Sequence, residues 1–298
     1  MVAQGQVPVE ALLLDYDGTL SPLHVSRAES RVPAETQAIL KRISQKIPVV
    51  VVTSKAPDFV IPRTPFATAW STVNGLETKI GDKVFSTSLS KPQLDIFSAA
   101  LKYSKTRLAA IGVDIEEKRL SNEQVVGFCV DWRRSTDLTR AKKAANQVAR
   151  RLRNLSLYVC GFESDPFYDV YSVPAHKGRA VEAIRQLLGL NSGVAFVGDS
   201  EMDNPAFLLS DLSIGVLHED SQPRLCTDYS ARFEDLEDSL QLNSAQSDSC
   251  RVYRPKLCCD YHVQFENVTD FLCELWDNGL FFKSNFSSIA HLRGEVRE

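Results

Sequence analysis

The sequence predicts an α/β protein: a doubly wound, mostly parallel sheet with an inserted α+β domain. Three observations carry this expectation. Short runs that are apolar at every position, Ala11–Leu14 and Ile47–Val52 early and Val194–Val197 late, have the pattern of strands buried on both faces, and Leu212–Val216 (LSIGV) reads as a further one. Amphipathic stretches alternate with them, so each end of the chain reads as strand–helix–strand units. Between the two sets, over 76–172, the pattern changes to shorter, alternating strands and longer helices.

In chain order, Ala11–Leu14 ends in Asp15, and a helix is expected from Pro33 to about Ser44, with Pro33 suited to its first turn. Ile47–Val52 then closes on Thr53-Ser54. In the middle section strands are expected at Val125–Trp132, Leu157–Phe162 and Tyr168–Val173, and helices at Pro92–Tyr103 and Leu138–Leu155. The late section opens with a helix at His176–Leu188, stopped by Gly189. Val194–Val197 runs into Gly198-Asp199-Ser200, and Leu212–Val216 follows. The expected division is a discontinuous core, 1–75 and 173–298, and an insert, 76–172.

The tail carries a duplication. Gln222–Leu240 aligns without gaps to Arg254–Leu272 at an offset of 32, with nine identities in nineteen positions. Two copies are too few for a solenoid, so a duplicated strand-plus-helix unit is expected. Only one copy can fill a given place in the sheet. The second carries Phe271, Leu272, Leu275 and Trp276, the better apolar helix face, and is expected to pack. The intervening Asn243–Ser249 reads as a loop open to proteolysis between Asn243 and Arg254.

Composition excludes several classes of function. Of 298 residues, 44% are hydrophobic and 24% charged, enough for a sizeable core. A net charge of −4 offers no electrostatic footprint for nucleic acid. No apolar run approaches the roughly 20 residues that span a bilayer. The segment MVAQGQVPVE lacks the form of a secretory signal, and the seven cysteines lack metal-ligand spacing. A cytoplasmic protein with reduced thiols is expected.

The chemistry concentrates at Asp15-Tyr16-Asp17-Gly18-Thr19, where the first buried strand ends. Open α/β sheets bind ligands beyond their strand tips, near the point where strand order reverses. Two carboxylates two residues apart, followed by a glycine that frees the backbone to turn, can share one divalent cation.

With Thr53, Lys177 and the Asp199/Asp203 pair in the same order along the chain, this sequence resembles the haloacid dehalogenase superfamily, whose core sheet is Rossmann-like. The resemblance implies roles. Asp15 is the nucleophile that takes a phosphoryl group and binds Mg2+, and Asp17 is the general acid/base that lends the metal its carbonyl. Thr53 and Ser54 bind phosphate, and Lys177, in His176-Lys177-Gly178, neutralises its charge. Asp199 and Asp203 complete the metal site. Physical reasoning agrees: like charges about 4 Å apart cost several kcal/mol at a protein's effective dielectric, and a hard cation with a lysine at a helix start offsets that repulsion. The assignment requires Asp15 and Asp199 to lie within reach of one shared ion. Two departures from the family pattern stand out: Met202 where many relatives have Asn, and Ser54-Lys55 where Gly-Arg often follows the Thr.

The insert resembles the large α+β cap of the sugar-phosphatase branch, most closely the trehalose-phosphatases, through Asp114–Lys118, Val130–Arg133 and Asn74-Gly75. Lys118, Arg133, Arg134 and Glu163 are the candidate substrate residues, with Trp132 as a sugar platform. The resemblance implies a Mg2+-dependent phosphatase of a small-molecule sugar phosphate, trehalose 6-phosphate first. The alternatives are another small phosphate ester (phosphoglycolate, a glycosyl-phosphoglycerate, sucrose phosphate), a phosphomutase, or a catalytically silent binding subunit.

Overall fold

The computed structural model describes residues 6–23, 25–161, 166–218, 224–225 and 256–291. Gln6–Pro8 (β1) leads into Ala11–Leu14 (β2), followed by Ala34–Ile43 (α1), Val49–Val52 (β3) and Pro57–Val60 (α2). Ala69–Thr72 (β4), Glu77–Ile80 (β5) and Lys83–Ser86 (β6) come next. The middle section holds Lys91–Leu108 (α3), Asp114–Arg119 (β7), Val125–Asp131 (β8), Leu138–Arg153 (α4), Tyr158–Cys160 (β9) and Phe167–Tyr171 (β10). Gly178–Leu188 (α5), Val194–Gly198 (β11), Asn204–Leu209 (α6) and Leu212–Leu217 (β12) return to the apolar pattern. The tail has Arg224–Leu225 (β13), Lys256–Leu257 (β14), Tyr261–Gln264 (β15), Val268–Asp277 (α7), Phe281–Lys283 (β16) and Ile289–His291 (β17). These residues form two bodies, one up to Phe85 and from His176 onward, the other Ser86–Ala175. No helix among the described residues is long and apolar enough to cross a membrane.

The first body is built on a nine-stranded sheet in the order β17-β15-β12-β11-β2-β3-β4-β5-β6. Pairing is parallel from β15 through β4 and antiparallel at β15/β17 and β4/β5. All four positions of β2 and of β3 are buried. Leu12, Leu14, Val49 and Val51 pack with Ile39, Leu40, Phe271 and Leu272 on one face. Ala11, Leu13, Val50 and Val52 pack with Val181, Ile184 and Phe207 on the other. Helices on both faces make the sheet doubly wound, as the all-apolar runs require. Strand β2 lies between β3 and β11, where strand order reverses, so its carboxyl tip is the expected ligand position.

The chain stays in this body to Phe85, ten residues past the expected boundary at 75. The reason is the antiparallel partner β5, which pairs Ala69 with Ile80 and Thr72 with Glu77 and extends the core sheet. The two strands are also joined through side chains, by the 3.1 Å hydrogen bond between the Ser71 and Thr78 hydroxyls.

The second copy of the duplicated segment takes the place in the sheet, as β15 and α7, with Phe271, Leu272 and Leu275 fully buried. Of the first copy only Arg224–Leu225 is described. It pairs in parallel with Lys256–Leu257, so equivalent positions of the two copies face each other. The remainder of that copy and the loop at 243–254 lie outside the described residues.

The second body is a four-stranded antiparallel sheet, β7-β8-β10-β9. Phe128, Val130, Tyr168 and Val170 pack on Ala145, Val148 and Leu152 of α4 and Phe97 and Ala100 of α3. The opposite face is polar. The register aligns Glu116, Cys129, Asp169 and Cys160 across the strands in one row, and Lys118, Gly127, Tyr171 and Tyr158 in the next.

Candidate active site

Asp15 leaves the tip of β2 only 4% exposed. The loop after it is tightly specified. The Tyr16 ring packs edge-on against Phe59 at 5.8 Å, and its hydroxyl donates to the Ser30 carbonyl at 3.0 Å. Gly18 has φ +73°, and a Cβ there would lie 2.1 Å from Asp199 Oδ2. Both the backbone conformation and the space require glycine. Parallel pairing of β11 with β2 brings Asp199, from the next strand tip, to the same point.

Lys177 precedes α5, and its ammonium bridges two carboxylates, at 2.8 Å from Asp15 Oδ1 and 2.7 Å from Asp203 Oδ1. The other Asp203 oxygen accepts the backbone N–H groups of Asp199 and Ser200 at 3.1 and 3.0 Å and the Ser200 hydroxyl at 3.1 Å. Asp203 is thus held through both oxygens. Burial disfavours the charge on Lys177, but Asp15 and Asp203 outweigh it and hold the ammonium proton more tightly than usual.

Burial dominates Asp15 and Asp199. It pushes Asp15 up to about 7, with Lys177 opposing and Asp203 adding to the rise. Burial, then the neighbouring Asp15 and Asp203, carry Asp199 well above the ordinary carboxylate range. One oxygen each from Asp15, Asp199 and Asp203 lies within 4.8 Å of the others, near enough for the three to converge on one shared ion. Three hard oxygen donors, two of them (Asp15 and Asp199) crowded enough to hold protons they would normally release, fit a hard divalent cation such as Mg2+.

Asp17 stands at the open side, its carboxylate 40% exposed and 3.3 Å from the Lys55 ammonium. Lys55 therefore faces the loop, in the position the departure from Gly-Arg left open. Thr53 is buried at the tip of β3 and its hydroxyl oxygen accepts the Lys55 N–H at 3.1 Å. Its O–H hydrogen is then the part that can be given to a ligand. Ser54 follows, half-buried.

Two features of the site were not read from the sequence: the sequence placed Asn74-Gly75 only at the entry to the insert, and His218 nowhere. Val73 and Asn74 are buried with φ of 51° and 53°, a strained state for a β-branched residue. Their N–H groups donate to the carbonyls of Lys55 and Thr53, both at 3.0 Å. The adjoining Gly75 abuts the start of α5, where a Cβ would lie 2.8 Å from Arg179 Cβ. This turn ties the Thr53 loop to the element carrying Lys177. The second feature is His218, whose Nε2 lies 2.8 Å from the Gly18 carbonyl oxygen and 3.8 Å from Asp199 Oδ2. A lone histidine after an apolar strand gives no spacing signal.

In the second body Lys118 is 6% exposed and paired with Asp169 at 3.0 Å. The Tyr171 hydroxyl donates to the same Asp169 oxygen at 2.8 Å. Burial works against the Lys118 charge, and Asp169 more than restores it. Arg133 is exposed, bonded to Asp131 and lying over the Phe167 ring, and Arg134 is exposed. Glu163 lies outside the described residues. Trp132 is not a sugar platform: it is 6% exposed, packs against the Tyr168 ring, and belongs to the apolar core under the sheet.

Comparison with known proteins places the fold. The structure matches a trehalose-6-phosphate phosphatase related protein at a TM-score of 0.60 and 15% identity, covering 91% of this chain and 98% of that one. A phosphatase of the haloalkanoate enzyme superfamily from Bacteroides thetaiotaomicron matches at 0.59 and 15%, covering 94% and 98%. The C-terminal domain of the C. albicans trehalose-6-phosphate phosphatase matches at 0.59 and 15%, covering 90% and 92%. No family model and no curated sequence matches the chain. The fold is that of the haloacid dehalogenase superfamily phosphatases: a mostly parallel α/β core and a separate antiparallel sheet with helices, as the motifs led one to expect.

Proposed function

We propose that this protein is a Mg2+-dependent phosphatase that hydrolyses a sugar phosphate through an aspartyl-phosphate, with trehalose 6-phosphate as the first substrate to test. The observation that carries the reading is Lys177 bridging Asp15 and Asp203 at the tip of the first core strand, with the Asp199 carboxylate beside them. Asp15 and Asp199, the Asp17 carbonyl and the adjoining Asp203 would hold the ion. When bound, Mg2+ supplies the positive charge that offsets repulsion between these acids and a phosphate.

The chain's own groups account for the rest. Asp15 attacks phosphorus, forming a bond from its carboxylate oxygen while the bond to the sugar oxygen breaks. Asp17, exposed and two residues on, gives the leaving oxygen a proton and then takes one from the water that attacks the aspartyl-phosphate, whose bond from phosphorus to the Asp15 oxygen breaks to release phosphate and restore the carboxylate. Thr53, Ser54 and Lys177 hold the phosphoryl oxygens. Lys118, Asp169 and Tyr171 form a charge-balanced polar cluster suited to the hydroxyls of a neutral sugar.

The test is turnover of p-nitrophenyl phosphate and of a phosphorylated-sugar panel, with Mg2+ and with EDTA. Asp15→Asn is expected to abolish turnover with the fold intact. Absence of metal-dependent turnover on every substrate would favour a silent binding subunit.

A further inference from the structure

We infer that His218 is a positioning residue of the catalytic loop, held in place by Phe265 from the second copy of the duplicated tail segment. The inference rests on the metal-dependent reading above for the identity of the cation.

A carbonyl oxygen can only accept, so the 2.8 Å contact makes His218 Nε2 the donor to the Gly18 carbonyl, across 200 residues of sequence. Gly18 is already fixed on two other sides. Its N–H donates to the Ser21 carbonyl at 2.8 Å, and the Asp199 carboxylate occupies the space where a side chain would begin. With His218 on the carbonyl, the Gly18 residue is fixed at its nitrogen, Cα and oxygen. That fixes the direction of the preceding Asp17 carbonyl and of the Asp17 side chain. A left-handed glycine without such restraint is among the most freely rotating points a backbone can have.

The histidine is itself aimed by its neighbour. Its ring stacks on Phe265, with centroids 5.2 Å apart and planes 24° from parallel. The placement follows from strand register. The last pair of the parallel β12/β15 ladder is Leu217 with Gln264, and His218 and Phe265 are the residues that directly follow the two strands. A one-residue slip of β15 would part the two rings. The register is locked nearby, where the Asp260 carboxylate accepts the Ser213 hydroxyl at 2.7 Å and the Cys258 N–H donates to Asn204 Oδ1 at 2.9 Å. The duplicated segment, which the proposed chemistry leaves without a part, thereby supports the metal loop.

The test compares full-length wild type with His218→Met, His218→Gln and Phe265→Leu, each checked for folding by circular dichroism. Mn2+ binding, followed by electron paramagnetic resonance, reads the site without turnover. Loss of an outer partner of a metal site typically weakens binding about 10–100-fold. The dissociation constant is therefore expected to rise about tenfold in His218→Met and Phe265→Leu, and to stay close to wild type in His218→Gln, which keeps a donor at similar reach. With p-nitrophenyl phosphate and saturating Mg2+, kcat should fall in the same order while KM holds. A folded His218→Met or Phe265→Leu protein with wild-type Mn2+ affinity would overturn the inference, as would a His218→Gln protein as weak as the Met variant. Should the wild type itself bind no Mn2+, the cation reading fails and this inference with it. Wild-type binding with unaffected variants sinks the inference alone.

Discussion

Lys177 and Asp203, 26 residues apart in sequence, are joined by a 2.7 Å hydrogen bond with both side chains buried. The bond matters because Asp203 is anchored on its far side by three donors, two of them backbone N–H groups. It therefore holds the ammonium rigidly toward Asp15, and the Lys177–Asp15 contact depends on a residue that need not touch the substrate.

Asp203→Asn tests that dependence. The substitution keeps the size but removes a buried charge that faces Lys177. Breaking one partner of a buried ion pair costs about 3–5 kcal/mol, moderated here because Asp15 remains beside the ammonium. We expect a lower melting temperature and a fall in kcat of at least about 100-fold, the scale of losing one preorganised electrostatic contact. Wild-type kcat in the folded variant would show that Lys177 is positioned by Asp15 alone.

The buried acids set a pH dependence. Asp15 is raised from 3.8 to about 7, chiefly by burial, and Asp199 is raised in the same direction. Between those values the folded chain binds more protons than the unfolded one, so stability falls as pH increases. For Asp15, below 3.8 both states are protonated and nothing is lost, and above about 7 the whole penalty of ionising in place is felt. In EDTA the melting temperature should therefore decline from pH 5 to pH 8, and less steeply in Asp15→Asn. A divalent cation that displaces these protons should stabilise more at pH 8 than at pH 5. An Mg2+-induced rise in melting temperature that is the same at both would contradict the proton–metal exchange.

How much of this was legible in the sequence follows from where each residue is buried. Ala11–Leu14 and Val194–Val197 are covered on both faces, so they have to be apolar throughout, and the motif acids sit one or two residues past each. By contrast, β7 reads Asp-Ile-Glu-Glu-Lys-Arg, because one face of its sheet is polar and Glu117 is paired with Lys105 and Arg119. No apolar alternation survives there to be read. Trp132 was misread because an aromatic beside two arginines has the same sequence pattern whether it faces a ligand or a core. His218, and Asp169 with Tyr171, become functional candidates only through strand register, which no local pattern encodes.

The register of the second body gives the last prediction. Tyr171 and Lys118 both align with Gly127, and a Cβ on Gly127 would lie 2.6 Å from the Tyr171 ring, so the ring lies against the glycine, and its hydroxyl reaches Asp169. Tyr171→Phe removes that hydroxyl and leaves the Lys118–Asp169 ion pair in place, which avoids stranding a buried charge. If this cluster contacts the sugar, losing the Tyr171 oxygen as an acceptor should raise KM for a phosphorylated sugar about tenfold, the equivalent of about 1.4 kcal/mol of binding. Turnover of p-nitrophenyl phosphate, which has no hydroxyls to recognise, should be unchanged. An equal effect on both substrates would mean that Tyr171 supports the sheet and does not contact the sugar.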